Sequence, residues 1–361
     1  MLSMRFINTM QEVEIRMDIN SIMIEETTSV LDTMNVINST GYGIALLCRD
    51  GHLDAVVTDG DIRRHILRNG DLHSPIKLIA NYSPQFLTKG DNINYKNYLM
   101  EHHITAIPIV NKQGKVVSLH TLYKSTKRYP QLNTPVVIMA GGKGSRLYPY
   151  TEILPKPLIP IGEQTITEHI MNHFEQYGCS HFDMIVNYKK HLIKSFFLDN
   201  EQKRDIHFIE EQEFLGTGGG LKMLDGFYED DFFMTNCDII IKEDYSKILA
   251  YHKEEQNIIT IVSAMKNVTI PYGTINISEE GEVINLKEKP QFSFMTNTGL
   301  YVIHPSFIDL IPDNTFIHIT DIIQLCIDTG KKVGVYPISE EAWMDMGQMN
   351  ELMKMKERIE V

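Results

Sequence analysis

Hydrophobic positions fall into two patterns along the chain. In the first 130 residues short apolar runs flank single glycines. Residues 44–47, Gly51 and Val56-Val57-Thr58 are echoed by residues 107–110, Gly114 and Leu119-His120-Thr121, at an offset of about 63 positions. Val30 falls opposite Ile93 at the same offset. A glycine between short apolar runs marks a chain reversal, so each unit reads as helix, strand, glycine turn, strand, helix. One such unit is too small to bury its own sheet; two packed face to face can do so.

Beyond residue 135 strand-like and helix-like stretches alternate. Residues 136–140, 182–186, 231–236 and 258–264 are apolar runs of strand length, while 165–177 and 217–224 carry helical spacing. This alternation predicts an α/β fold with a Rossmann-like mixed, mostly parallel sheet covered by helices. Between the two patterns, residues 125–135 include Lys127, Arg128, Pro130 and Asn133 and lack apolar periodicity. The expected organisation is a first module over 1–128 (repeats at about 15–72 and 75–128), a linker over 129–135 and a second module over 136–361.

Composition narrows the chemistry. With 361 residues, 43% apolar and 22% charged, the chain is a folded protein of more than one domain. A net charge of -13 excludes a general nucleic-acid binder, which needs many cations to displace counterions from phosphates. Any phosphate site must therefore be a locally basic pocket. Cys48, Cys179, Cys237 and Cys326 are too scattered for a zinc or dithiol motif and read as ordinary buried thiols. Residues 1–20 alternate polar and apolar without a signal-peptide run, and no apolar stretch reaches the ~20 residues that cross a bilayer. A cytoplasmic location without membrane association is the expectation.

The repeat resembles the tandem cystathionine-beta-synthase (CBS) pair, the Bateman module, over roughly residues 10–128. It is carried best by Val56-Val57-Thr58-Asp59-Gly60-Asp61-Ile62-Arg63. The resemblance implies a regulatory module, often adenine-nucleotide binding, in which Thr58 and Asp61 contact phosphate and ribose hydroxyls. A hydroxyl and a carboxylate acceptor suit that task. In the second repeat Thr121 is kept but Lys124 replaces the carboxylate, leaving at most one complete site. The alternative is a repeat that serves packing or dimerisation, with Thr58 and Asp61 as helix caps. The resemblance also implies a homo-oligomer.

The chemistry lies in the second module. Its first strand runs into Met139-Ala140-Gly141-Gly142-Lys143-Gly144-Ser145-Arg146-Leu147. Glycines let the backbone approach an anion, and Lys143 and Arg146 add positive charge, so the loop suits a triphosphate. A Walker A loop is excluded because no Gly-Lys-Ser/Thr follows at the required spacing. The dinucleotide fingerprint fails because Leu147 stands where a third Gly or Ala belongs. Then comes Leu154-Pro155-Lys156-Pro157-Leu158-Ile159-Pro160. An exposed loop lysine usually serves solvation, but prolines on both sides restrict the backbone and hold the Lys156 ammonium in place.

At these residues the chain resembles the sugar-1-phosphate nucleotidyltransferases, whose signature is Gly-Gly-x-Gly-Ser/Thr-Arg-Leu, Pro, Thr and Lys-Pro-Leu. The resemblance extends over about residues 135–350. It implies attack of a sugar 1-phosphate on the α-phosphorus of a nucleoside triphosphate, with Arg146, Lys156 and Asp238 as catalytic residues. Ala140, Gly141, Gly142, Lys143, Gly144, Ser145, Arg146 and Lys156 would hold the nucleotide phosphates. The element Glu211-Gln212-Glu213-Phe214-Leu215-Gly216-Thr217-Gly218 places Glu211, Gly216 and Thr217 near base and ribose. Magnesium is implied on Asp238, which closes an apolar strand, and on Asp345 in Trp343-Met344-Asp345-Met346-Gly347. Tyr272, Gly273, Glu288, Lys289 and Asn297 would hold the sugar and its phosphate. Taken singly, either aspartate would more commonly cap a turn.

After Gly347 only a short amphipathic tail with Leu352, Met355 and Ile359 follows, without hexapeptide repeats. The order of modules resembles the CBS-fused glucosamine-1-phosphate guanylyltransferases of bacterial legionaminic-acid and related surface-sugar pathways, implying GTP and glucosamine 1-phosphate. Mannose, heptose or glucose 1-phosphate with GTP or another triphosphate, and a non-catalytic nucleotide sensor, stay open as alternatives.

Overall fold

A computed structural model describes residues 19–91, 93–102, 104–121, 129–199 and 204–347. Lys124, Lys127, Arg128, residues 1–18 and the tail with Leu352, Met355 and Ile359 lie outside the described residues. The chain divides into two compact units, 1–128 and 129–361.

In the first unit β1 (Met23–Ile24), α1 (Val30–Thr40), β2 (Ile44–Arg49), β3 (His52–Thr58) and α2 (Asp59–Leu67) are followed by β4 (Leu87–Thr88), α3 (Tyr95–Glu101), β5 (Ala106–Val110) and β6 (Val116–Thr121). Each half builds a three-stranded sheet, the first strand parallel and the third antiparallel to the middle one. The β2–β3 reversal uses Asp50 and Gly51 at φ 52° and 82°, the positive values a two-residue hairpin loop of this kind demands. The longer β5–β6 reversal over 111–115 also places a glycine at positive φ, Gly114 at 80°. The halves meet where Val116 N–H donates to the Gly51 carbonyl (2.9 Å) and where Ile22, Ile44, Leu46, Val56, Val110 and Val116 share one core.

Thr58 and Asp61 form a capping box on α2. Asp61 Oδ2 accepts from Thr58 N–H (2.9 Å) and from the Thr58 hydroxyl (2.6 Å), while Arg64 donates to Asp61 Oδ1 (2.5 Å).

The second unit contains β7 (Val136–Ala140), α4 (Tyr150–Ile153), β8 (Pro160–Ile161), β9 (Gln164–Thr165), α5 (Ile166–Glu175), β10 (His181–Val186), α6 (Lys190–Leu198), β11 (Asp205–Glu210) and α7 (Gly216–Gly219). It continues through β12 (Phe232–Asn236), β13 (Ile239–Ile241), α8 (Tyr245–Glu255), β14 (Ile259–Thr269), β15 (Thr274–Ile277), β16 (Val283–Lys287), β17 (Gln291–Ile303), α9 (Ile319–Asp328), β18 (Val333–Ser339) and β19 (Trp343–Asp345). Seven strands form one sheet in the order β11-β10-β7-β12-β17-β14-β18. Its pairings are parallel except where β17 runs antiparallel to β12 and β14, so the sheet is mixed.

Alternation along β7 explains why the sheet is covered on both sides. Val136, Ile138 and Ala140 enter one core with Ile170, Met171 and Phe174 of α5, and Val137 enters the other with Ile322 and Cys326 of α9. A fully buried side chain of this size is worth about 1.5–3 kcal/mol. Helix α5 starts where Thr165 Oγ1 accepts from Glu168 N–H (3.2 Å) and Glu168 returns the bond to Thr165 N–H (2.8 Å).

Two expectations are modified. The helix expected over 217–224 is the short α7 followed by a tighter 3-10 turn over Gly220–Leu224, because Gly216, Gly218, Gly219 and Gly220 lack the side chains that sustain a regular helix. Residues 129–135, expected as a linker, are laid against the second unit. Leu132 N–H donates to the Tyr177 carbonyl (2.7 Å), and the Tyr129 ring packs on Tyr177 at 4.4 Å. Among the described residues no helix is long and apolar enough to cross a membrane.

Candidate active site

Strands β7, β10 and β12 run parallel, and their carboxyl ends open on one edge of the sheet, where ligands of such sheets bind. The loop leaving β7 is shaped by its glycines. Gly144 has φ 65°, and a Cβ there would stand 2.9 Å from Thr151 Cγ2 and 3.2 Å from Lys156 Cβ. Its carbonyl accepts from the Thr151 hydroxyl (3.0 Å), so the loop is pressed onto the following segment. Gly142 would place a Cβ in open space, and Lys143, Ser145 and Arg146 are exposed. The outer side of the loop is therefore bare backbone and cationic side chains.

Lys156 opens a 3-10 turn between Pro155 and Pro157, and its ammonium donates to Asp238 Oδ2. Asp238 lies in the step from β12 to β13 and is buried. Asp345 arrives from the other side: β19 pairs antiparallel with β13, Ile239 opposite Asp345, and Met346 N–H donates to the Asp238 carbonyl (2.9 Å). Burial pushes the Asp345 carboxyl up, and the neighbouring Asp238 charge pushes it further. Donation from Gly347 N–H (2.6 Å) and the positive charges of Lys156 and Arg146 act in the opposite direction. Four charged residues distant in sequence thus share one electrostatic field.

The paired carboxylates fit a hard divalent ion. A Cβ on Gly347 would sit 2.9 Å from Asp345 Oδ1 and 3.4 Å from Asp238 Oδ2, so glycine keeps the space beside both carboxylates clear. Among the described residues no three His, Cys, Asp or Glu side chains could hold a metal together. Two carboxylates supplemented by phosphate oxygens and water are the set magnesium takes, whereas a dedicated protein cage is not.

Glu211 follows β11 and is 2% exposed. Its Oε1 accepts from Leu215 N–H (3.3 Å), and its Oε2 would lie 2.5 Å from a Cβ on Gly141. A Cβ on Gly220 would approach Oε1 to 2.8 Å. The carboxyl is thus wedged between two glycine backbones, and burial pushes its pKa up to about 7. Gly216, at φ 79°, lies against the Ile317 carbonyl. Thr217 faces away from this space, since its hydroxyl accepts from Ile319 N–H (3.2 Å) at the start of α9.

The expected sugar residues stand on another element. Between β14 and β17 the chain forms the hairpin β15–β16, and a Cβ on Gly273 would come within 3.0 Å of Glu288 Oε2. Lys289 has φ 43° beside it, and Tyr272 is 74% exposed. Asn297 is engaged within β17: its amide donates to the Tyr301 hydroxyl (2.7 Å) and accepts from Gly299 N–H (3.0 Å).

Sequence reasoning missed several supporting residues. Asn187 donates to the Glu211 carbonyl (3.3 Å) and places its Cβ near Gly141. Lys189, at φ 50°, donates to the carbonyls of Glu152 and Ile153 and so ties down the segment after the glycine loop. Both follow the carboxyl end of β10, a position that could have marked them.

The nucleotidyl transferase family matches residues 135–361. The "Bifunctional protein GlmU" of Methanococcus maripaludis is 32% identical over 222 residues, covering 58% of this chain and 51% of that protein. A UTP–glucose-1-phosphate uridylyltransferase of Synechocystis is 30% identical over 237 residues, covering 59% of this chain and 60% of that protein. The chain thus spans about half to three-fifths of these curated relatives. The crystal structure of HddC from Yersinia pseudotuberculosis superposes with a TM-score of 0.50 at 25% identity, over 63% of this chain and 99% of that one. With its glycine loop, paired carboxylates and mixed sheet all within the matched segment, the chain belongs to the nucleotidyl transferase family.

Proposed function

We propose that the chain joins a sugar 1-phosphate to GTP, giving a GDP-sugar and pyrophosphate. The observation that carries the reaction class is the meeting of Lys156 with Asp238, beside Asp345 and against the glycine loop. Both substrates are anions, so the task is positioning and charge neutralisation. A phosphate oxygen of the sugar 1-phosphate forms a bond to the α-phosphorus. The bond from that phosphorus to its bridging oxygen breaks, and pyrophosphate leaves with the electron pair. No general base is required, because a phosphomonoester has a second pKa of about 6 and is largely ionised at neutral pH.

The loop backbone from Gly141 to Ser145 and the Arg146 guanidinium would hold the triphosphate, and Lys156 would set the α-phosphate between loop and carboxylates. Asp238 and Asp345 would hold magnesium, whose chemistry here is neutralisation of phosphate charge. Glu288 and Lys289, at the hairpin root, would bind the sugar hydroxyls and the sugar phosphate.

Glu211 supports guanine as the base. A buried carboxylate can only accept, and guanine presents adjacent N1–H and N2–H donors on one edge. Uracil and thymine present one N–H between two carbonyl oxygens, which would face the carboxylate lone pairs. Glu211→Gln is therefore expected to lower kcat/KM for GTP at least tenfold and to raise the relative use of UTP and dTTP. Unchanged base preference would reject the assignment. Glucosamine 1-phosphate is the sugar suggested by the order of modules, and a panel of sugar 1-phosphates in the same assay decides it. We further read the first unit as a CBS pair that binds a regulatory nucleotide beside Thr58 and Asp61.

A further inference from the structure

Asn236 ends β12 just before Cys237 and Asp238, and it is half-buried. Among the described residues no hydrogen bond takes its side-chain amide. Strand pairing sets its neighbours: Asn236 lies opposite Met139 of β7, and Thr235 opposite Leu300 of β17 brings Gly299 beside Asn236. Met139, Met234 and Tyr301 all pack into the core that holds α9, so alternation along β12 puts Asn236 on that same face of the sheet.

Its direction on that face is fixed by Gly299. A Cβ on Gly299 would stand 3.6 Å from Asn236 Cβ, 3.1 Å from Cγ and 2.4 Å from Nδ2. The distances shorten along the side chain, so the amide leans over Gly299 and towards β17. A methyl group there would take its place, and φ 90° favours glycine as well. Gly299 is itself pinned, since its N–H donates to Asn297 Oδ1 (3.0 Å) while Asn297 Nδ2 donates to the Tyr301 hydroxyl (2.7 Å). Asn297 thus spends a donor and an acceptor on shaping the ground over which Asn236 reaches.

We infer that Asn236 determines sugar specificity by hydrogen-bonding a ring hydroxyl of the sugar 1-phosphate; this rests on the function proposed above. An amide offers one carbonyl acceptor and two N–H donors, and a hydroxyl both donates and accepts, so the two match without net charge. Half-burial makes the contact selective, because a substrate without that hydroxyl leaves the amide unpaired where water has been displaced.

Direction separates this sugar from the ribose, the other carbohydrate in the reaction. The Glu211 carboxyl, to which the base is assigned above, lies against Gly141 at the end of β7 and against Gly220. Asn236 stands one strand further along the sheet and leans away from β7. It leans to β17, which the chain enters directly from Glu288 and Lys289 at the hairpin root.

Sugar 1-phosphates in which each ring hydroxyl in turn is replaced by hydrogen test the contact, with pyrophosphate release as the readout. Wild type is compared with Asn236→Ala and with Asn236→Leu, which keeps the branched shape of asparagine without its polar atoms. One analogue should lower wild-type kcat/KM about tenfold, and in both variants that penalty should shrink to about twofold or less while KM for GTP stays constant. A merely structural role would slow all the sugars alike and leave every penalty in place, which rejects the contact. A loss of discrimination between GTP and deoxy-GTP, with the sugar penalties intact, gives the amide to the ribose and rejects it too. If wild type forms no activated sugar from any sugar 1-phosphate, the transfer proposed above is contradicted and this contact with it; transfer with unaltered penalties removes Asn236 alone.

Discussion

Glu211 shows how one side chain can link base choice to pH. Its carboxyl is raised from an ordinary 4.5 to about 7 by burial, so the ligand-free fold holds a proton that the unfolded chain would release. The sign follows from linkage: the protonated fold is favoured at low pH, and that stability is lost as pH rises from about 4.5 through 7, to a total of roughly 3 kcal/mol. The guanine contact proposed above would need the opposite form, the charged acceptor. The ratio of kcat/KM for GTP over UTP should therefore increase between pH 6 and 8 and be flat in Glu211→Gln. Chemical unfolding of the ligand-free variant should lose most of the corresponding pH step. A wild-type ratio independent of pH would mean that the carboxyl does not meet the base.

The glycine loop, the proline-bracketed Lys156, Asp238 and Asp345 could all be singled out in the sequence because each sits in a compact motif. That Lys156 reaches Asp238 across 82 positions, or that Gly347 keeps the carboxylates clear, could not, since both depend on strand pairing. Nor could it be read that the Thr217 hydroxyl accepts from Ile319 N–H at the start of α9, a contact across 102 positions.

At the scale of elements, the register of β10 and β11 sets two His–Asp pairs side by side. His181 faces Asp205, and Asp183 faces His207. His181 Nδ1 lies 2.8 Å from Asp205, His207 Nδ1 2.9 Å from Asp183, and Tyr228 donates to the buried Asp183. Donation to Asp205, with a smaller contribution from Asp183, holds the His181 imidazole above its ordinary pKa against the opposing effect of burial. A raised histidine stabilises the fold fully below about pH 6.5, and the contribution disappears as pH passes its folded value. Thermal melts of His181→Gln should show a smaller fall in Tm between pH 6 and 8 than the wild type. An identical fall would remove the ladder from the account.

Because β11 carries Glu210 and leads into Glu211, this register also positions the Glu211 carboxyl. Nothing in the sequence reveals such a ladder, whose members are 24 positions apart. Strand β7, by contrast, was legible residue for residue, because an apolar run of five between polar flanks fits a buried central strand. The length of β14 and β17 was not, since their outer halves leave the core and lose the apolar signal of a buried strand.

At the scale of the whole molecule the two units have separate cores, and residues 129–135 belong to the second. Cutting before Tyr129 should leave a folded transferase, whereas cutting after Leu132 removes its bond to Tyr177. The shorter chain should keep GTP-dependent transfer within a few-fold of the full chain and lose any response to added AMP or ATP. Loss of folding, or a response that survives the deletion, would contradict a regulatory first unit. The repeat itself was readable because a tight reversal between β-strands imposes positive φ on Gly51 and Gly114, which fixes glycine at equal spacing.

The account rests on nucleotidyl transfer at the carboxylate pair, and pyrophosphate release measures it directly. Full-length protein with magnesium, GTP and glucosamine 1-phosphate should release one pyrophosphate per GDP-sugar formed, and Asp238→Asn, with an unchanged melting curve, should lower the rate by at least a hundredfold. No pyrophosphate with any pairing of triphosphate and sugar 1-phosphate, or release undiminished in Asp238→Asn, would contradict it.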